Sequence, residues 1–259
     1  MMREITEQEW KEYVTKCTTG EWPVPAVFVS DKNNWVCRAI VGRVLYFIKD
    51  VEGALTVLST FVNDVEPDME HHPDEGMCEA EHFVLSLRDI AQIIWELTKN
   101  GPAALQYIDK AFKICRQFPY RFHTEVRGDI WYRHLNVLAE SGEVAKALAD
   151  AREMAENEKK ESHAPRPVVP DPLYDTVNPY IFYSLRFLAE QSHKEGKTAE
   201  ACALFDEAYD YFPLSQAGRR DVTQARETQN VEKAYKLWSH CTTCQYLPWE
   251  KQPIVNLRS

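Results

Sequence analysis

The sequence predicts an all-α protein, on three observations. Helix formers are abundant and glycine is rare, with nine in 259 residues, so little in the chain resists helix. Apolar residues recur at helical spacing in segments separated by Gly or Pro breaks, such as Asn100-Gly101-Pro102 and Gly142. Paired segments carry small and large residues where two helices would touch: Gly42, Ala54 and Leu58, then Ala104, Ile108 and Ala111. Small residues let helices approach, and the large one fills the space between them.

The elements follow in order. Thr6 and Glu9 form a capping-box pattern ahead of Trp10, Tyr13 and Val14, which predicts a short leading helix. Pro23 and Pro25 make 21–30 an extended connector. A first helix pair is expected over about 34–49 and 51–63, followed by an acidic loop over 64–76. The second pair spans about 77–99 and 102–117, with Gly101 ending one helix and Pro102 opening the next. The third spans about 120–140 and 143–160, with Trp131 and Ala147 in it and Ala151 where a larger residue is usual. Pro165, Pro167, Pro170, Pro172 and Pro179 mark a Pro-rich insertion over 162–179 that cannot be regular helix. The fourth pair is expected over about 180–195 and 197–212, and a last helix over 222–238 would cap the array. The domain organisation read from this is 1–33 as leading helix and connector, 34–240 as the helical domain and 241–259 as a tail.

Composition narrows the function classes. The net charge of −10 disfavours nucleic-acid binding, because an acidic chain repels phosphates. Seven cysteines, an odd number, lie partly inside apolar helical patterns. That fits a reduced, cytoplasmic protein better than a disulfide framework. The polar start Met1-Met2-Arg3-Glu4 lacks a signal-type apolar stretch, and no run is long enough to span a bilayer, so no membrane partner is expected.

Catalytic signatures are sparse. There is no Gly-rich phosphate loop, no GxSxG elbow and no HExxH helix. The reading is therefore of a non-enzyme with no cofactor and no metal. Two features were weighed against it. Cys241 and Cys244 are spaced for a shared metal or a redox disulfide, yet His240 is badly placed as a further ligand and no second CxxC exists. The loop from Glu66 to Glu75, with Glu79 and His82 beyond it, offers carboxylates and imidazoles, but no second ExxH completes a di-metal pattern. Two ordinary cysteines and a solvated acidic loop are the plainer readings.

Leu185, Leu188, Ala189, Gly196, Ala201, Phe205, Ala208 and Pro213 fall at the spacings of one particular helix-turn-helix repeat. On them the chain resembles a divergent tetratricopeptide-repeat (TPR-like) protein over roughly 34–240. Aligned units start near positions 35, 85, 128 and 182, in steps of 50, 43 and 54, longer than the family's ~34. For the first half, a related hairpin array or a plain helical bundle fits the same pattern.

The resemblance implies a right-handed α-solenoid of about four antiparallel helix pairs, because one pair cannot bury its apolar face alone. It also implies a concave channel lined by the first helix of each pair, which binds a protein or peptide. Carried over unit by unit, the channel positions are Arg43 and Tyr46; Asp89 and Glu96; Asp129, Tyr132, Arg133 and Asn136; and Tyr183, Arg186, Glu190 and His193. Of these, Arg43, Tyr46, Tyr132, Arg133, Asn136, Tyr183, Arg186 and His193 are the expected partner-binding residues. The lysines of the family's C-terminal carboxylate clamp are missing, and Asp89 and Glu96 would oppose an acidic peptide. A peptide-sensing regulator is the alternative, although the chain before Asn34 is too short for an attached DNA-binding domain. The tail carries Tyr246, Leu247, Pro248, Trp249, Ile254 and Val255, and is expected to lie in its own groove or a neighbour's. In the latter case it drives a homodimer.

Overall fold

The computed structural model describes residues 4–20, 23–64, 76–118, 122, 124–161, 178–209 and 211. Their regular structure is entirely helical: α1 (Glu7–Thr19), a 3-10 turn (Ala26–Phe28), α2 (Trp35–Phe47), α3 (Val51–Asp64), α4 (Gly76–Thr98), α5 (Gly101–Gln117), α6 (Thr124–Glu140), α7 (Val144–Glu161), α8 (Pro179–Lys194) and α9 (Thr198–Tyr209). The expected capping helix over 222–238 and the tail lie outside the described residues, as does most of the Pro-rich insertion.

Helix starts are set by local polar chemistry. Thr6 and Glu9 close the capping box on α1, with Thr6 N donating to Glu9 Oε2 at 2.9 Å and Glu9 N to Thr6 Oγ1 at 3.2 Å. Asn34 caps α2 through Cys37 N, and Asn100 caps α5 through Ala103 N. Pro179, assigned above to the insertion, instead occupies the first turn of α8. Its missing N–H costs nothing there, since that group would have no helical partner. Asn178 caps the same helix, accepting from Tyr180 N and Ile181 N, and donates through Nδ2 to the buried Glu158 of α7 at 2.7 Å.

Helix ends repeat one geometry. Positive φ angles occur among the described residues at Lys49 (68°), Lys99 (53°), Gly142 (92°) and Gly196 (76°). These lie 50, 43 and 54 residues apart, the same steps as the aligned unit starts. At three of the four, the amide just past the left-handed residue reaches back five positions: Asp50 N to Leu45 O, Glu143 N to Leu138 O and Lys197 N to Ser192 O, at 2.8–3.0 Å. This is the Schellman closure, which satisfies carbonyls that the helix end would orphan.

The chain divides into two compact units, with the boundary between His123 and Thr124. In the first, α2 packs on α3 and α4, α3 on α4, α4 on α5, and α1 on α2. Its core holds Leu45, Leu58, Phe61, Phe83, Leu87, Ile90 and Ile93, all essentially buried. Phe61 stacks on Trp35 and meets Phe83 edge-on. Gly42 is where α2 and α3 approach, for a Cβ there would lie 2.5 Å from Leu58 Cδ2.

In the second unit α6 packs on α7 and α8, α7 on α8, and α8 on α9. α8 is the central rod: every residue from Pro179 to Ala189 is buried. The opposing α7 presents Ala147, Ala151 and Ala155, all buried. Ala151, the apparent mismatch in sequence, is one of the small residues through which α7 approaches its neighbours. Gly128 plays the corresponding part on α6, since a Cβ there would stand 2.2 Å from the Tyr183 ring.

Candidate functional site

Because α2 lies against α4 and α6 against α8, the first helices of successive pairs are neighbours. Their polar side chains therefore meet in two strips, one in each unit.

On α2 and α4, Arg43 Nε lies 3.3 Å from Asp89 Oδ2, with both side chains 7% exposed. Arg88 takes the other Asp89 oxygen at 2.6 Å. Further along, Glu96 Oε1 accepts from the Tyr46 hydroxyl at 2.8 Å and from Gln92 Nε2 at 2.6 Å. His82 is part of this strip. Burial first, and then the positive charge of Arg43, push its imidazole down to about 4, so it is neutral at physiological pH. Its Nδ1 is buried without a hydrogen-bond partner.

On α6 and α8, Glu190 divides its two oxygens. Oε1 accepts from Arg186 Nε at 2.9 Å, and Oε2 accepts from the Tyr132 hydroxyl. The Arg186 guanidinium lies 4.6 Å from the centroid of the Tyr132 ring and 6.0 Å from that of Tyr183. Burial opposes its charge, but Tyr132 and Glu190 outweigh burial and hold the group above its ordinary value. Burial likewise pushes the Tyr132 phenol up. Trp131 donates to Ser184 Oγ at 2.8 Å, fixing α6 against α8 beneath the strip. Arg133 has its Nε buried without a hydrogen-bond partner.

The expected partner-binding residues are thus distributed unevenly. Tyr132, Tyr183 and Arg186 come together, with Glu190 between Tyr132 and Arg186. Asn136 turns back to donate to Tyr132 O on its own helix. Tyr183 is 1% exposed and His193 is exposed in the last turn of α8. Arg43 is committed to Asp89 and Tyr46 to Glu96. Sequence reasoning missed Gly128, although a glycine inside a helix costs about 1 kcal/mol and so signals a close approach. It also left His82 in a metal motif rather than beside Arg43.

No group of three or more His, Cys, Asp or Glu side chains is arranged to hold a metal among the described residues. Cys241 and Cys244 lie outside them, as does the loop from Glu66 to Glu75. Cys17, in contrast, is buried against the carbonyl of Val41, and burial pushes its thiol up to about 12. It is not a reactive thiolate. Among the described residues no helix is long and apolar enough to cross a membrane. Comparisons with protein-family models, with curated proteins and with solved structures find no match.

Proposed function

We propose that this chain is a non-catalytic, TPR-like scaffold of the cytoplasm, a right-handed α-solenoid that holds a protein or peptide on the first helices of its pairs. The observation that carries the reading is the recurrence of one left-handed turn residue at Lys49, Lys99, Gly142 and Gly196. Its spacing coincides with the repeat register read from side-chain pattern alone. Two independent signals, backbone conformation and small-residue placement, therefore agree on four units. In that register Arg43, Tyr46, Tyr132, Arg133, Asn136, Tyr183, Arg186 and His193 fall on the partner-facing side. Arrays of this kind bind through extended faces built from many units. The α6–α8 strip has the chemistry for it, with aromatic rings and guanidinium groups side by side, the residue types that dominate protein interfaces.

The test is affinity capture from native lysate with the full-length chain and with an Arg133→Glu/Arg186→Glu variant, both checked for helicity and thermal midpoint. A protein retained by the wild type and lost by the folded variant supports the reading. An identical retained set for both contradicts it.

A further inference from the structure

Glu190 does not use up Arg186. Its Oε1 reaches only the Arg186 Nε, and its Oε2 is taken by Tyr132. The two terminal nitrogens of Arg186 donate to no group among the described residues, and they are not sealed from solvent. The residue is nevertheless 8% exposed. Its plane is fixed by the Tyr132 ring on one side and by the tie to Glu190 along one edge. What remains is a rigid end with parallel N–H groups and no acceptor. Next to Tyr132 on α6, Arg133 likewise makes no hydrogen bond or ion pair among the described residues.

From this we infer that the free edge of Arg186, held by Glu190 and Tyr132, is a receptor for a carboxylate presented by a bound peptide. The inference rests on the scaffold reading and names its ligand chemistry. A carboxylate matches two parallel N–H donors in one plane, and an immobilised guanidinium loses little freedom on binding it. Charge selects the same ligand. Arg133 and Arg186 against Glu190 leave a single net positive charge, which a monoanion neutralises and a phosphate dianion would overshoot. In this account Glu190 and Tyr132 are positioning residues.

The test uses the full-length chain with 15N-labelled arginine side chains. One probe is an amidated peptide carrying several glutamates. A second is its glutamine counterpart with a free C-terminus, and a third is a phosphoserine peptide, all at one ionic strength. Saturable shifts of the Arg186 terminal nitrogens by the first or second probe support the inference, and which of the two acts tells side chain from chain end. Arg186→Lys should then weaken that probe about tenfold or more, because an ammonium cannot make the planar pair. The wild-type resonances give a readout that needs no variant to fold. Unmoved Arg186 signals, or shifts by the phosphoserine peptide alone, overturn the inference. If Arg186→Lys keeps a lysate partner that the double charge reversal loses, the carboxylate assignment falls and the scaffold reading stands.

Discussion

The α2–α4 strip and the α6–α8 strip are built from equivalent positions, yet they resolve their polar groups differently. On α2 and α4, Asp89 sits between two guanidinium groups and Glu96 between a phenol and an amide, so both carboxylates are engaged from two sides. On α6 and α8, one carboxylate serves one Arg and one Tyr, and the Arg keeps a free edge. The contrast shows that a row of charges read from sequence does not by itself define a binding face. What decides is whether the neighbouring helix supplies enough counter-groups to close it.

The largest expected effect separates the two strips directly. Asp89→Asn leaves Arg43 and Arg88 buried beside a neutral amide, and should cost about 4 kcal/mol of stability in a denaturant titration. Glu190→Gln should cost less than half of that, about 1–2 kcal/mol, since Arg186 already lacks partners at its free edge. Equal losses would mean that the α6–α8 strip is as closed as the other.

The glycine contacts come next. Gly128→Ala drives a Cβ into the Tyr183 ring, which is itself caged, and should cost about 3 kcal/mol. Gly42→Ala meets the end of the Leu58 side chain, which can turn away, and should cost about 1 kcal/mol. Thermal midpoints of the two variants check the order.

Acid should act on the α2–α4 unit through His82. Above pH 6.5 the imidazole is neutral in both the folded and unfolded states. Between 6.5 and about 4 the unfolded chain binds a proton that buried His82, facing Arg43, refuses. Stability therefore falls as pH falls through that window, by about 2–3 kcal/mol. His82→Gln should flatten this loss, and an unchanged pH slope in the variant would exclude His82 as its source.

The smallest effect lies in the turns. Lys49 and Gly142 hold the same left-handed geometry, which suits Gly and strains Lys. Lys49→Gly should leave stability unchanged or raise it by about 0.5–1 kcal/mol, while Gly142→Ala should lower it by about 1 kcal/mol.

These cases also show what the sequence discloses. Helix starts were legible because Thr6, Asn34, Asn100 and Pro102 act locally. The turns at Gly142 and Gly196 were legible because glycine advertises a left-handed residue, whereas nothing in a lysine announces the same φ at Lys49 or Lys99. The side chains on the first helices were named by register, but their pairing was not. Arg43 and Asp89 meet across two helices, and no local rule states which acid will face which base. The commitment of Arg43 and the free edge of Arg186 are therefore properties of packing, visible only once α2 is laid on α4 and α6 on α8.

The most direct measurement is hydrogen exchange of the full-length chain with and without the saturating glutamate-rich peptide. The account predicts new protection confined to α6 and α8, with α2 and α4 unchanged. Protection along α2 and α4 in place of α6 and α8 would contradict it.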